Sequence, residues 1–197
     1  MKLNNEQECY SVYNIDITKI LNLSYIEKKA NEHSDKRMTL VIAELALEQN
    51  FFSYLKNYSI RDYLMLFIQQ PGDLNEIIHT DYVTETQPHH YSFNIICQGY
   101  GKMTWFKRPE VGSKLSRHPN DPDRIIYETY KGLTLEPVSV WDGHNGNTAL
   151  VRTGIPHGVM NDGDEQRICL SIRIDDHGWQ GAKDIFNNYF LSNQINQ

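Results

Sequence analysis

At 197 residues, with 40% hydrophobic and 22% charged side chains, the chain has the composition of an ordinary globular protein, which excludes a disordered tract or a membrane-embedded bundle. No apolar run approaches the roughly 20 residues of a membrane span, and a net charge of −6 from 19 basic and 25 acidic residues disfavours a nonspecific phosphate-binding surface. Three cysteines, Cys9, Cys97 and Cys169, odd in number and far apart, exclude a disulfide framework and a C-x-x-C zinc knuckle.

In chain order, an alternating run at 9–17 predicts a strand and residues 19–30 a helix. Ser34-Asp35 offers capping oxygens ahead of Met38, Val41, Ile42 and Leu45, whose spacing predicts a helix over 36–55 that braces a sheet. Residues 61–69 are rich in large apolar side chains and end at Pro71-Gly72, which reads as a buried strand. The polar stretch 82–90 reads as a loop at the mouth of a site. Residues 91–98 and 102–106, broken at Gly99-Tyr100-Gly101, read as a hairpin. Three prolines and no periodicity make 107–123 a loop, a lid or rim. Short alternating runs follow at 124–130, 133–141, 148–153 and 167–174, and a helix at 181–191 closes the chain. Many short strands at such spacing indicate a sandwich or barrel rather than a parallel α/β sheet.

The stretch Glu76-Ile77-Ile78-His79-Thr80-Asp81-Tyr82 carries the chemistry. On an extended backbone His79 and Asp81 project to one side and Thr80 to the other. Gly154-Ile155-Pro156-His157-Gly158-Val159 supplies a third candidate ligand, and ten residues further Arg167 opens a strand that reads Arg-Ile-Cys-Leu-Ser-Ile-Arg-Ile. Two histidines and one carboxylate around open positions suit non-haem Fe(II). The other histidines fit less well: His89 and His90 are neighbours that face opposite ways on an extended chain, and His33, His118, His144 and His177 sit in polar or turn-like surroundings.

The order H-x-D, then Pro-His-x-Val, then an arginine ten residues on resembles the Fe(II)- and 2-oxoglutarate-dependent oxygenases, over residues 63–174. The resemblance implies a mainly β fold with flanking helices, a double-stranded β-helix of jelly-roll or cupin-like type. It implies His79, Asp81 and His157 as iron ligands and catalytic residues, and Arg167 as the anchor of the remote carboxylate of 2-oxoglutarate. Cys169 stands where that family usually has the serine of an R-x-S pair, and Ser171 comes two residues later. Asn94 and Lys102 are expected near the cosubstrate and Trp105 on the cavity wall, as fixed donors among apolar walls. Arg173 shares a face with Arg167 by alternation, and the family's interval favours Arg167.

The domain expectation is a single unit over 1–197: helical and strand support at 1–60, a barrel core at 61–175 and a closing helix at 176–197. The implied activity couples decarboxylation of 2-oxoglutarate, giving succinate and carbon dioxide, to hydroxylation of a small-molecule substrate by molecular oxygen. Cofactors are then Fe(II) and the cosubstrate 2-oxoglutarate. Expected partners include no membrane and no nucleic acid, and a homodimer is left open. The free thiols and the lack of an apolar leader give a cytoplasmic expectation. Two other readings stand beside this one, a cupin-like metal enzyme that does not use 2-oxoglutarate and a non-catalytic ligand-binding barrel.

Overall fold

A computed structural model describes residues 8–74, 77–81, 91–110, 114–118, 121–174 and 177–193, with the backbone alone at 114–118 and 121–127. The first third of the chain runs β1 (Tyr10–Tyr13), α1 (Leu23–Glu32), β2 (Met38–Ile42), α2 (Ala43–Ala46), α3 (Gln49–Lys56) and β3 (Tyr63–Gln69). Then come β4 (His79–Asp81), β5 (Tyr91–Gln98), β6 (Lys102–Phe106), β7 (Lys114–His118), β8 (Asp121–Thr129) and β9 (Pro137–Asp142). The chain ends with β10 (Thr148–Arg152), β11 (His157–Met160), β12 (Arg167–Ile172) and α4 (Gly178–Ser192).

The strands form two antiparallel six-stranded sheets, ordered β1-β10-β5-β12-β3-β2 and β7-β8-β4-β11-β6-β9. Successive strands β3 to β4, β5 to β6, β9 to β10 and β11 to β12 each cross from one sheet to the other. This is the jelly-roll arrangement of the double-stranded β-helix, the fold class expected. β1 and β2 widen the first sheet, and the β7–β8 hairpin widens the second.

Alternation on the first sheet divides the core in two. Leu64, Leu66 and Ile68 of β3, Phe93 and Ile95 of β5, and Ile168, Leu170 and Ile172 of β12 pack against the helices. Phe186 of α4 stacks on Phe93 at 3.9 Å between ring centroids, with Phe51, Tyr189 and Phe190 around them. The opposite face meets the second sheet through Ile96, Met103, Trp105, Trp141, Ala149, Val151 and Cys169. Arg167, Ser171 and Arg173 alternate with the helix-facing set and so lie on this inner face with Cys169.

Three expectations are corrected. Residues 91–98 and 102–106 do not pair as a hairpin, because β5 lies in the first sheet and β6 in the second. Residues 36–55 are not one helix: 38–42 form β2, and the helices α2 and α3 follow. The run Met-Thr-Leu-Val-Ile is rich in β-branched residues, and its register with Phe67 to Tyr63 of β3 lets Val41 join the core while Met38, Leu40 and Ile42 face away. Residues 107–123 are not all loop either, because β7 and the start of β8 build a hairpin there. Pro122 falls where the register breaks: Arg117 pairs with Ile125 and His118 with Asp121, leaving Pro122 in the irregular part. The loop expected at 82–90, with His89 and His90, lies outside the described residues.

Candidate metal centre

β4 is three residues long and lies between β8 and β11. His79 is the register partner of His157 on β11, so pairing of the two strands sets the imidazoles side by side, 4.4 Å between ring centroids. Asp81 follows on the same face. One ligand atom from each of His79, Asp81 and His157 lies within 4.8 Å of the other two, and these three are the group of metal-ligating type among the described residues. Thr80 points the other way and is fully buried, its hydroxyl donating to Glu128 at 3.4 Å. Glu128 also accepts from the Tyr130 hydroxyl at 2.8 Å and from Arg108 at 3.3 Å, so the rear of the ligand strand is pinned. The Asp81 N–H donates to the Thr153 carbonyl at 2.9 Å, tying β4 to the approach to β11.

Each histidine is oriented by its own backbone. Nδ1 of His79 donates to the Ile77 carbonyl at 2.8 Å, and Nδ1 of His157 to the Ile155 carbonyl at 2.9 Å. With the proton held at Nδ1, the Nε2 lone pair is left for a cation. Burial, reinforced by the neighbouring His79, pushes His157 down to about 4, so it is a neutral donor at physiological pH. Burial works against the Asp81 carboxylate, but Arg173, His157 and His79 outweigh it and hold Asp81 below the usual carboxylate range. Its Oδ2 accepts an ion-pair hydrogen bond from Arg173, while Oδ1 lies 3.6 Å from Nε2 of His79. Two imidazoles and one ionised carboxylate fit a divalent ion of the first transition row.

Arg167 is buried deeper, at the other end of β11. A Cβ on Gly101 would meet both the Arg167 side chain and the Met160 carbonyl, which places the arginine about 10 Å of strand away from His157. Only 3% exposed, it donates from Nη1 to Gln69 Oε1 at 3.0 Å, and Gln69 in turn donates to the Val159 carbonyl at 3.2 Å. Nε of Arg167 has no hydrogen-bond partner, and among the described residues no carboxylate forms an ion pair with this guanidinium. Cys169 is beside it, its thiol pushed up by burial with Arg167 pulling the other way.

Of the other residues singled out, Ser171 and Asn94 are register partners on the inner face, both buried, and the Ser92 hydroxyl donates to Asn94 at 3.1 Å. Trp105 pairs with His157 and donates its indole N–H to the Arg152 carbonyl at 2.7 Å. Lys102 is not brought to the cluster. It alternates with Met103 and Trp105, faces outward and pairs with Asp162 at 2.6 Å. Arg173 as the partner of Asp81, and Gln69 and Gly101 as the setting of Arg167, were not anticipated. Alternation gives the face of Arg173 but not its partner, and no local signal marks Gln69 or Gly101.

No family model matches the chain, and no curated protein does. Among solved structures, a mutant of Bacillus subtilis oxalate decarboxylase is similar at 18% identity, over 72% of this chain and 26% of that one, with a TM-score of 0.35. A second structure of that enzyme, whose title concerns its Mn(II) centres, matches at 18% identity over 72% and 26%, with a TM-score of 0.34. The chain thus spans about a quarter of the length of the structures it matches. At those scores the likeness says nothing of activity.

Proposed function

We propose that the chain is a metal-dependent barrel enzyme that binds a carboxylate-bearing ligand between the His79–Asp81–His157 centre and Arg167, and, more specifically, an Fe(II)- and 2-oxoglutarate-dependent oxygenase of a small-molecule substrate. The observation that carries this is the guanidinium of Arg167, buried on the inner face of the first sheet, which meets the sheet that carries His79, Asp81 and His157, with no carboxylate to neutralise it among the described residues. A buried charge left unpaired is costly, and a ligand carboxylate relieves that cost. Arg173 does not serve as that anchor, because Asp81 already engages it.

His79, Asp81 and His157 would hold the ion; when bound, Fe(II) with 2-oxoglutarate and oxygen supplies the oxidising power for hydroxylation. The chain's own contribution is orientation. Ile77 and Ile155 carbonyls fix the imidazoles, Arg173 aims Oδ1 of Asp81 inward by holding Oδ2, and Gln69 presents Arg167 for bidentate contact with a carboxylate. Trp105, Trp141 and Met103, buried together between the sheets, would exclude water from such a ligand.

A second reading, an enzyme of the same barrel that acts on a carboxylate substrate without 2-oxoglutarate, is favoured by Cys169 beside the guanidinium in place of a serine hydroxyl. Anaerobic titration separates the two. The oxygenase reading expects about one Fe(II) per chain, a charge-transfer band on adding 2-oxoglutarate, and succinate release with an accepted substrate. Arg167→Lys should weaken 2-oxoglutarate binding by about 1.5–3 kcal/mol without loss of iron, and Arg173→Lys, which keeps a charge beside Asp81, by much less. Iron binding without any 2-oxoglutarate band would favour the second reading. Iron binding undiminished in the His79→Ala, Asp81→Ala, His157→Ala triple variant would sink both.

A further inference from the structure

β2 forms one side of the first sheet, and among the described residues no strand pairs with its outer edge. The ladder to β3 fixes which groups point outward. The Ile68 N–H donates to the Arg37 carbonyl at 2.9 Å and the Ala43 N–H to the Asp62 carbonyl at 2.8 Å, so the odd-numbered residues 37 to 43 bond to β3. The N–H and C=O groups of Met38, Leu40 and Ile42 therefore face outward. The one described contact to this set is weak, from the Ile42 N–H to the Tyr25 hydroxyl at 3.4 Å. Natural edge strands are blunted by proline, charge or a bulge. β2 carries none of these, and its register with β3 is unbroken.

The side chains of the same three residues, Met38 (46% exposed), Leu40 (56%) and Ile42 (41%), form an apolar strip with Tyr63 (59%) on the sheet face opposite the helices. We propose that β2 pairs antiparallel with β2 of a second copy about a two-fold axis at Leu40, joining the two first sheets into one.

Register and charge select this occupant. With the axis at Leu40, Leu40 meets Leu40 and Met38 meets Ile42, so every outward backbone group meets an outward group. A one-residue slip would set outward groups against groups already bonded to β3. Moving the axis to Met38 would put Lys36 against Leu40, and moving it to Ile42 would put Leu40 against Glu44 in α2. The Leu40 axis instead sets exposed Lys36, two residues ahead of β2, toward the far end of the partner strand, where α2 begins with exposed Glu44, twice by symmetry. A strand from an unrelated protein has no reason to match both the apolar set and these flanking charges.

Sedimentation equilibrium of the full chain tests this. The wild type is expected to dimerise, and Leu40→Lys to be monomeric with unchanged circular dichroism and melting, since Leu40 is exposed. Lys36→Glu should weaken the dimer roughly two- to thirtyfold, as loss of two rim ion pairs implies, and Lys36→Glu with Glu44→Lys should restore it. Leu40→Cys should cross-link to itself on mild oxidation, because Cα atoms in a hydrogen-bonded antiparallel pair are about 5.5 Å apart, whereas Tyr63→Cys should not. A wild type that stays monomeric at its highest soluble concentration overturns the proposal, as does a dimer that survives Leu40→Lys or a Leu40→Cys variant that fails to cross-link.

Discussion

Asp81 divides its two oxygens between an arginine and the space in front of His79, and His157 surrenders its charge to burial. The second fact has a measurable consequence in the metal-free protein. His157 titrates at about 4 in the fold and near 6.5 when unfolded, so between those values the unfolded chain binds more protons and stability rises with pH. Acidification from pH 6.5 to 4 should thus remove about 3 kcal/mol of apoprotein stability. Asp81, held below the usual carboxylate range, adds its own loss only at more acid pH. Urea melts across this range check the sign: His157→Gln should flatten the slope between pH 6.5 and 4, and an equally steep slope in that variant would show that another group is responsible.

At the scale of elements, the β5–β6 turn does more than reverse the chain. Gly99 adopts φ +63°, where side chains are strained, and Gly101 leaves room for Arg167: a Cβ there would lie 2.5 Å from Arg167 Cδ and 2.7 Å from the Met160 carbonyl. Gly101→Ala should lower stability by about 1–3 kcal/mol and weaken 2-oxoglutarate binding while leaving iron binding in place. Equal loss of both ligands would show that the turn supports the whole barrel rather than the arginine. The β11–β12 turn has a comparable clasp, fully buried Asn161, whose amide donates to the carbonyls of Gln69, Gln70 and Glu165.

What was legible in the sequence followed the period of two. His79 and Asp81 on one face, Thr80 on the other, and the shared face of Arg167 and Arg173 are all local consequences of an extended backbone. β2 was misread because Met38, Val41, Ile42 and Leu45 also satisfy helical spacing, and only pairing with β3 decides between the two periods. The partners of the arginines were out of reach for another reason: Gln69 is on a neighbouring strand and Asp81 on the other sheet, and such proximity exists only after both sheets have closed.

For the whole molecule, the two faces of the first sheet separate stability from chemistry. The helices are fastened through aromatic rings on one face, Arg167 lies on the other, and the His79–Asp81–His157 cluster stands on the second sheet, which that other face meets. Phe186→Ala should cost about 3–5 kcal/mol in denaturant unfolding yet leave the Fe(II) affinity of the folded fraction unchanged; a parallel fall in affinity would mean that the helix layer shapes the centre directly.

The carbonyls that orient the two imidazoles suggest how such a centre endures while the letters around it change. Residues 77 and 155 offer a carbonyl oxygen whatever side chain they carry, so Ile77 and Ile155 can be exchanged in a lineage without disturbing which nitrogen holds the proton. An insertion or deletion of one residue between His79 and Asp81 is a different matter, because it turns one ligand to the opposite face of β4. The centre is therefore indifferent to spelling at positions 77 and 155 and intolerant of a change in length within the ligand strand, and descendants of this chain should drift far in sequence while keeping the interval from His79 to Asp81 fixed.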